Sequence, residues 1–145
     1  MKNSFLLALT LFAIGATACI NNLDWVLPRA EGTWDVDRYI ATTEIAGDTI
    51  SEITYDNAGT FVFQKDGTGT VDLSVPGNNQ SNQAILWSFD KEAAILTIDW
   101  QDGGDPWEFE VIEQDLERLF LRRTTLNVIL GIENRNIRDM ELLRE

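Results

Sequence analysis

The sequence predicts an all-β fold: an up-and-down antiparallel β-barrel of about eight strands with a C-terminal helix. Three observations carry that expectation. From Gly32 onward, apolar residues recur mostly at every second position, the spacing of a strand with one buried face. Gly, Asn, Asp and Pro interrupt the chain about every eight to twelve residues. Before residue 132, no stretch carries apolar residues at a convincing helical period. The 145 residues have room for one domain with one core, and 44% hydrophobic residues with five Trp supply the apolar surface that folding needs.

The elements follow in order. Residues 20–31 include Pro28 and several polar side chains without periodicity, and read as a tether. Gly32–Glu44 sets Trp34, Val36 and Ile40 among polar neighbours and reads as a first strand, whereas Thr49–Tyr55 alternates less cleanly around Ile50 and Ile53. Gly59–Gln64 carries Phe61 and Phe63 on one face. Lys65-Asp66-Gly67-Thr68-Gly69 supplies hairpin glycines, and Thr70–Val75 returns with Val71, Leu73 and Val75 together. Pro76 to Gln83 is a polar loop, expected to be mobile.

A second hairpin places Trp87 and Phe89 on one strand and Leu96, Ile98 and Trp100 on the next, across the turn Asp90-Lys91-Glu92-Ala93. After Gln101–Pro106, Trp107, Phe109 and Val111 alternate with Glu108 and Glu110. Arg118–Arg123 returns with Leu119 and Leu121. Thr125–Ile132 alternates Leu126, Val128 and Leu130 and reads as one more strand, making eight or nine. Glu133–Arg144 spaces Ile137, Met140 and Leu142 or Leu143 at helical intervals and predicts the terminal amphipathic helix. Closure into a barrel removes exposed strand edges.

Charge and composition exclude several functions. The chain has no histidine, the usual general base and metal ligand, so no catalytic residue, metal site or cofactor is expected. Residues 20–117 carry 4 basic and 20 acidic side chains, net −16, and residues 118–145 carry 6 basic and 4 acidic, net +2. A body this acidic repels a phosphate backbone, which argues against nucleic acid as a partner. Electrostatic adsorption to anionic lipid is disfavoured for the same reason. The basic cluster Arg122, Arg123, Arg135, Arg138 and Arg144 reads either as neutralising the body from within or as a partner surface. Asp102, Asp105 and Glu108 offer oxygen ligands, but their spacing is not that of a calcium loop and an exposed turn accounts for them.

Residues 1–18 combine Lys2, the apolar run Phe5 to Ile14 and the small residues Gly15 to Ala18, which is the build of a signal peptide. The run is shorter than the roughly 20 apolar residues a spanning helix needs. Ala16-Thr17-Ala18-Cys19 resembles the lipobox of bacterial lipoproteins. That resemblance implies cleavage before Cys19 and its acylation. The expected organisation is then signal peptide 1–18, lipidated Cys19 and tether 19–31, and barrel with C-terminal helix 32–145. An ordinary secreted protein cut after Ala18 is the alternative. Cys19 is the single cysteine, so no intramolecular disulfide uses it.

Residues 31–124 are similar to the lipocalin-like domains of bacterial lipoproteins, on three features. These are Gly32-Thr33-Trp34, the hairpin Phe61 to Thr70, and Trp87-Ser88-Phe89-Asp90 followed by Leu96-Thr97-Ile98. The resemblance implies a barrel whose floor is closed by Trp34 packed on a basic residue. Trp87, Trp100, Trp107, Phe61 and Phe63 are the candidate ligand-binding residues; they either line an apolar calyx or fill a solid core, and alternation alone does not separate the two. The expected protein is a lipid-anchored lipoprotein of the bacterial cell envelope, with the outer membrane the expected one. Its barrel is expected to bind a small apolar or amphipathic ligand. The alternative is a non-catalytic interaction or structural lipoprotein with a filled barrel and an envelope protein as partner.

Overall fold

The computed structural model describes residues 23–29 and 32–145. A short helix α1 (Leu23–Val26) precedes eight strands: β1 (Thr33–Ile45), β2 (Asp48–Phe63), β3 (Thr68–Leu73), β4 (Gln80–Asp90), β5 (Ile95–Trp100), β6 (Trp107–Gln114), β7 (Arg118–Ile129) and β8 (Ile132–Arg144). Each strand pairs antiparallel with the next, and β8 returns to pair with β1, so the sheet is a closed barrel. The alternation read from the sequence becomes an inner face of Trp34, Val36, Phe61, Phe63, Val71, Leu73, Leu96, Ile98, Phe109, Leu119 and Leu121, all buried. Among the described residues no helix is long and apolar enough to cross a membrane.

The C-terminal helix expected over Glu133–Arg144 is not formed; the segment is β8. Ile137 and Met140 fit a helical stripe, but Met140 and Leu142 also fit period two. In the barrel these two are buried, while Leu143 turns outward. Tertiary pairing overrides the local pattern. β8 hydrogen-bonds to β7 on one side and to β1 on the other, and a helix there would leave both edges open. The expected count of eight or nine resolves to eight because two pairs of short strands are each continuous and β8 adds a strand where the helix was expected. Thr49–Tyr55 and Gly59–Gln64 merge into β2, bent where Asn57 and Gly59 take positive φ. A Cβ at Gly59 would overlap the Asp72 carbonyl of β3, so the bend requires glycine. Arg118–Arg123 and most of the expected strand Thr125–Ile132 likewise merge into β7, which ends at Ile129.

The end of the barrel nearer the start of β1 is closed. Leu23, Val26 and Leu27, within the segment read as a tether, are buried to 1% exposure or less and pack into the core. Trp34 Nε1 donates to the Leu27 carbonyl at 3.0 Å, and the Arg144 guanidinium lies over the Trp34 ring, 4.6 Å from its centroid. Arg144 also donates to the carbonyls of Arg29 (2.9 Å) and Val26 (2.6 Å), so the last turn of the chain before the barrel and the last residues of β8 are held together. We call this end the floor.

The barrel wall is uneven in height. β1, β2, β7 and β8 run 12–16 residues, whereas β3 and β5 have 6 each. The two long hairpins turn at Ala46-Gly47 and Leu130-Gly131, with positive φ at both central residues as a type I′ turn requires. The tall wall therefore stands above the end opposite the floor.

Replacing Leu23 by Ala is expected to lower the unfolding free energy by about 2–5 kcal/mol in urea titrations, because a buried side chain is truncated; the neighbouring exposed Asp24→Ala serves as the reference, and equal stability of the two variants would contradict the floor packing. A second expectation concerns acid. Asp115 Oδ1 accepts the backbone N–H of Glu117 (2.8 Å) and of Arg118 (2.7 Å), which hold its carboxyl below the ordinary 3.8. A depressed carboxyl contributes stability above its unfolded value that is lost as pH falls through its folded one. Thermal melts of Asp115→Asn between about pH 5 and 2 should accordingly fall less steeply with acid than those of the parent.

Candidate functional site

The five aromatic residues singled out from the sequence fall into two groups. Phe61, Phe63 and Trp87 sit in the floor half. The two phenyl rings stack at 5.7 Å, and Trp87 meets Phe63 edge-on at 5.6 Å. Trp87 Nε1 donates to the carbonyls of Gln64 and Thr68, both at 3.1 Å, so its polar edge is spent on the β2–β3 turn. Trp100 and Trp107 stand at the opposite end, edge-to-face with centroids 4.6 Å apart, and Trp107 continues edge-on to Phe109 at 6.0 Å. The structure thus brings Trp100 together with Trp107, and Phe61 with Phe63 and Trp87. Cys19 lies outside the described residues.

Above the packed half the barrel opens into a mouth with two adjoining cavities. One, of about 380 Å³, is lined by Tyr39, Tyr55, Asn78, Asn136, Arg123 and Arg138 among others. The other, of about 340 Å³, is lined by Trp100, Trp107, Gln80, Asp102, Asp105 and Arg123. Asn78 and Arg123 belong to both, so the cavities meet there. The short strands β3 and β5 set one rim low, and the tall wall of β2, β1, β8 and β7 backs the larger cavity.

Register decides which residues of the tall wall face inward. Tyr39 pairs with Tyr55 and Met140, and Ala41 pairs with Ile53 and Arg138, which in turn pairs with Arg123. One row further out, Thr43 pairs with Asn136 and Asn136 with Thr125. Side chains on alternate positions share a face, so these rows carry the barrel interior up the wall. The interior changes from apolar to polar as it rises. The tyrosine rings lie 6.3 Å apart, and Asn78 Nδ2 donates to Tyr39 Oη at 3.2 Å. That bond pins the start of the loop expected to be mobile, and the end of the same loop, from Gln80, is already β4.

The consecutive residues Arg122 and Arg123 face opposite ways. Outside, Arg122 makes a two-pronged ion pair with Asp139, 2.7 and 2.8 Å, which lifts its guanidinium above the ordinary value. Inside, Arg123 lies 5.0 Å from the Trp107 ring centroid. Burial pulls Arg123 below its ordinary value; Tyr39 opposes this, the Arg138 charge adds to it and Asp105 opposes it. An arginine so perturbed is still charged at neutral pH.

Arg123, Arg138, Tyr39, Tyr55, Asn78 and Asn136 were not among the sequence-derived ligand-binding residues. The available signal was the Arg122-Arg123 doublet in an alternating strand, where one of two neighbours must point inward. The basic cluster as a whole divides: Arg122 and Arg135 pair with carboxylates and Arg144 clamps the floor. Among the described residues no three His, Cys, Asp or Glu side chains gather as a metal site, the Asp102 turn included.

Fold and site together define the class: an eight-stranded, closed, up-and-down antiparallel β-barrel with a filled floor and an open, polar, aromatic-lined mouth. No protein-family model, curated protein or solved structure matches the chain.

The Asn78 to Tyr39 bond is testable: Tyr39→Phe removes it at a cost of about 0.5–1.5 kcal/mol. The Asn78 amide, which donates to the Val75 carbonyl at 3.0 Å, should then exchange with deuterium several-fold faster while amides of β5 keep their rates.

Proposed function

We propose that the protein is a non-catalytic binding module of the bacterial cell envelope, a lipocalin-like barrel tethered to a membrane through acylated Cys19 that holds a small amphipathic ligand in its mouth. The observation that carries this reading is the mouth cavity itself, about 380 Å³, within the range of small-molecule sites and adjoining the Trp100–Trp107 pair. Phenol, amide and guanidinium groups there hold oxygen atoms of a ligand, and the Trp and Tyr faces cover its apolar part. The floor half is too well filled to take a ligand without repacking, since Phe61, Phe63 and Ile98 are exposed by 1% or less. The lipocalin-like label draws support from the eight-stranded meander closed on itself and from Trp34 beneath a basic residue, Arg144.

Anchoring fits the same arrangement. Cys19 lies four positions before Leu23, a reach of at most about 14 Å, so a lipid on Cys19 stays at the floor end and the mouth opens away from the bilayer.

An interaction role has its own observation in the exposed apolar tip of the β7–β8 hairpin, where Leu126, Val128, Ile129 and Leu130 are 54–97% exposed. Titration of tryptophan fluorescence separates the two. Water-soluble amphiphiles should give a saturable change that Trp107→Ala abolishes and Trp87→Phe preserves. Silence across neutral, anionic and cationic amphiphiles would overturn the ligand-binding reading and favour the protein-partner one.

A further inference from the structure

Half of the eight arginines of this chain, Arg38, Arg118, Arg122 and Arg135, contact carboxylates on the outer surface of the barrel. With 24 acidic residues against 11 basic ones, such pairing is the expected fate of an arginine here. Arg29 stacks on Trp25 and Arg144 clamps the floor. Arg123 and Arg138 differ from all of these. Both face the larger mouth cavity, and neither has a carboxylate within ion-pairing distance among the described residues.

They are also directly opposite one another across the β7–β8 ladder. Two like charges at such a position repel and destabilise the strand pair. What relieves them is partial. Arg138 Nη1 donates to the carbonyls of Thr42 (3.3 Å) and Ile137 (2.9 Å), and Arg123 rests on the Trp107 face. Both side chains line a half-buried space bounded also by Tyr39, Tyr55, Asn78 and Asn136, none of which is a carboxylate. The carboxylates of Asp102 and Asp105 border the neighbouring cavity and are exposed to solvent. In a protein of net charge −13, a concave site with two cations and no acid in its lining is a local reversal of the overall field.

Building on the binding role proposed above, we propose that the ligand is a small anionic amphiphile whose carboxylate-type head sits between Arg123 and Arg138 and whose apolar body lies against Tyr39, Tyr55 and Trp107. A carboxylate offers an oxygen to each guanidinium, and charge-assisted bonds of this kind are the stronger class of hydrogen bond. The head cancels the repulsion between the two arginines, so the same group that orients the ligand also stabilises the strand pair that holds it. The neutral donors around it, Asn136, Asn78 and the tyrosine hydroxyls, complete the coordination.

The test uses the full chain in a non-ionic detergent and three probes that share one apolar body: 4-phenylbutyrate, 4-phenylbutan-1-ol and 4-phenylbutylammonium, each titrated by calorimetry against a detergent blank. The expected result is that the carboxylate binds at least about tenfold more tightly than the alcohol, with the ammonium weakest. Arg123→Gln and Arg138→Gln should each weaken carboxylate binding and bring the carboxylate-to-alcohol affinity ratio from about tenfold down toward one, while Arg135→Gln on the outer face alters neither affinity. Because each Gln variant removes the same repulsion, the melting temperature of either should equal or exceed that of the parent. Equal affinity of carboxylate and alcohol, or undiminished carboxylate binding in both variants, would overturn the anionic assignment and leave the binding role standing. Absence of binding by all three probes would overturn both.

Discussion

The pairing of β8 with β1 is the constraint on which the rest of the molecule depends. It closes the sheet, and its register fixes which side chains of β8 enter the barrel. With Tyr39 opposite Met140 and Val36 opposite Leu142, the inner face receives two apolar residues at the core and Arg138 at the mouth. A slip of one residue would send Asp139 and Glu141 inward and turn Met140 and Leu142 out, so the alternative registers carry a large penalty. The register is reinforced at the floor, where Arg144 can cover Trp34 and reach the carbonyls of Val26 and Arg29 only in this alignment. Closure, core packing and the docking of α1 are therefore one cooperative event, consistent with contacts that draw together residues more than 100 positions apart in sequence.

The barrel divides along its axis into a filled half and an open half. Near the floor the interior is filled by Trp34, Phe61, Phe63, Trp87 and their neighbours, with indole N–H groups bonded to backbone carbonyls. A barrel of eight strands is just wide enough to be plugged by side chains of this size. Toward the mouth, the strands of one wall stop early and those of the other continue, so polar residues replace apolar ones on the inner face and water-accessible volume appears. The Trp100–Trp107 pair and Tyr39 mark the boundary between the halves. This gradient, apolar below and hydrogen-bonding above, gives the mouth an amphipathic lining.

The net charge of the protein acquires a purpose in that setting. Acidic residues dominate the outer face, where they pair with Arg38, Arg118, Arg122 and Arg135 and keep the surface hydrated. Placing Arg123 and Arg138 inward isolates them from those carboxylates by the thickness of the sheet. The like-charge cost across β7–β8 is tolerated because the β7–β8 and β1–β8 ladders are extensive and each guanidinium has a partial partner, Trp107 for one and the Thr42 carbonyl for the other.

Alternation and turn chemistry by themselves determined that this chain folds as antiparallel strands joined by hairpins, and they located Trp34, the Phe61–Gly69 hairpin and the inward faces of Leu96, Ile98, Phe109 and Leu119, because period two is a local property of a half-buried strand. They also isolated the aromatic set that now proves divided between floor and mouth. What only the tertiary structure decided follows from pairing over long range. The last dozen residues satisfy a helical and an extended pattern about equally, and two open edges, at β1 and β7, selected the strand. Leu23, Val26 and Leu27 have no periodicity of their own, and their burial depends on a floor built from residues at the far end of the chain. The mouth was invisible for the same reason: Arg123 and Arg138 are 15 positions apart, and they become a charged pair at a cavity only when the β7–β8 register sets them face to face, one inward row beyond Tyr39. Local sequence specifies faces; the register of distant strands specifies which faces meet.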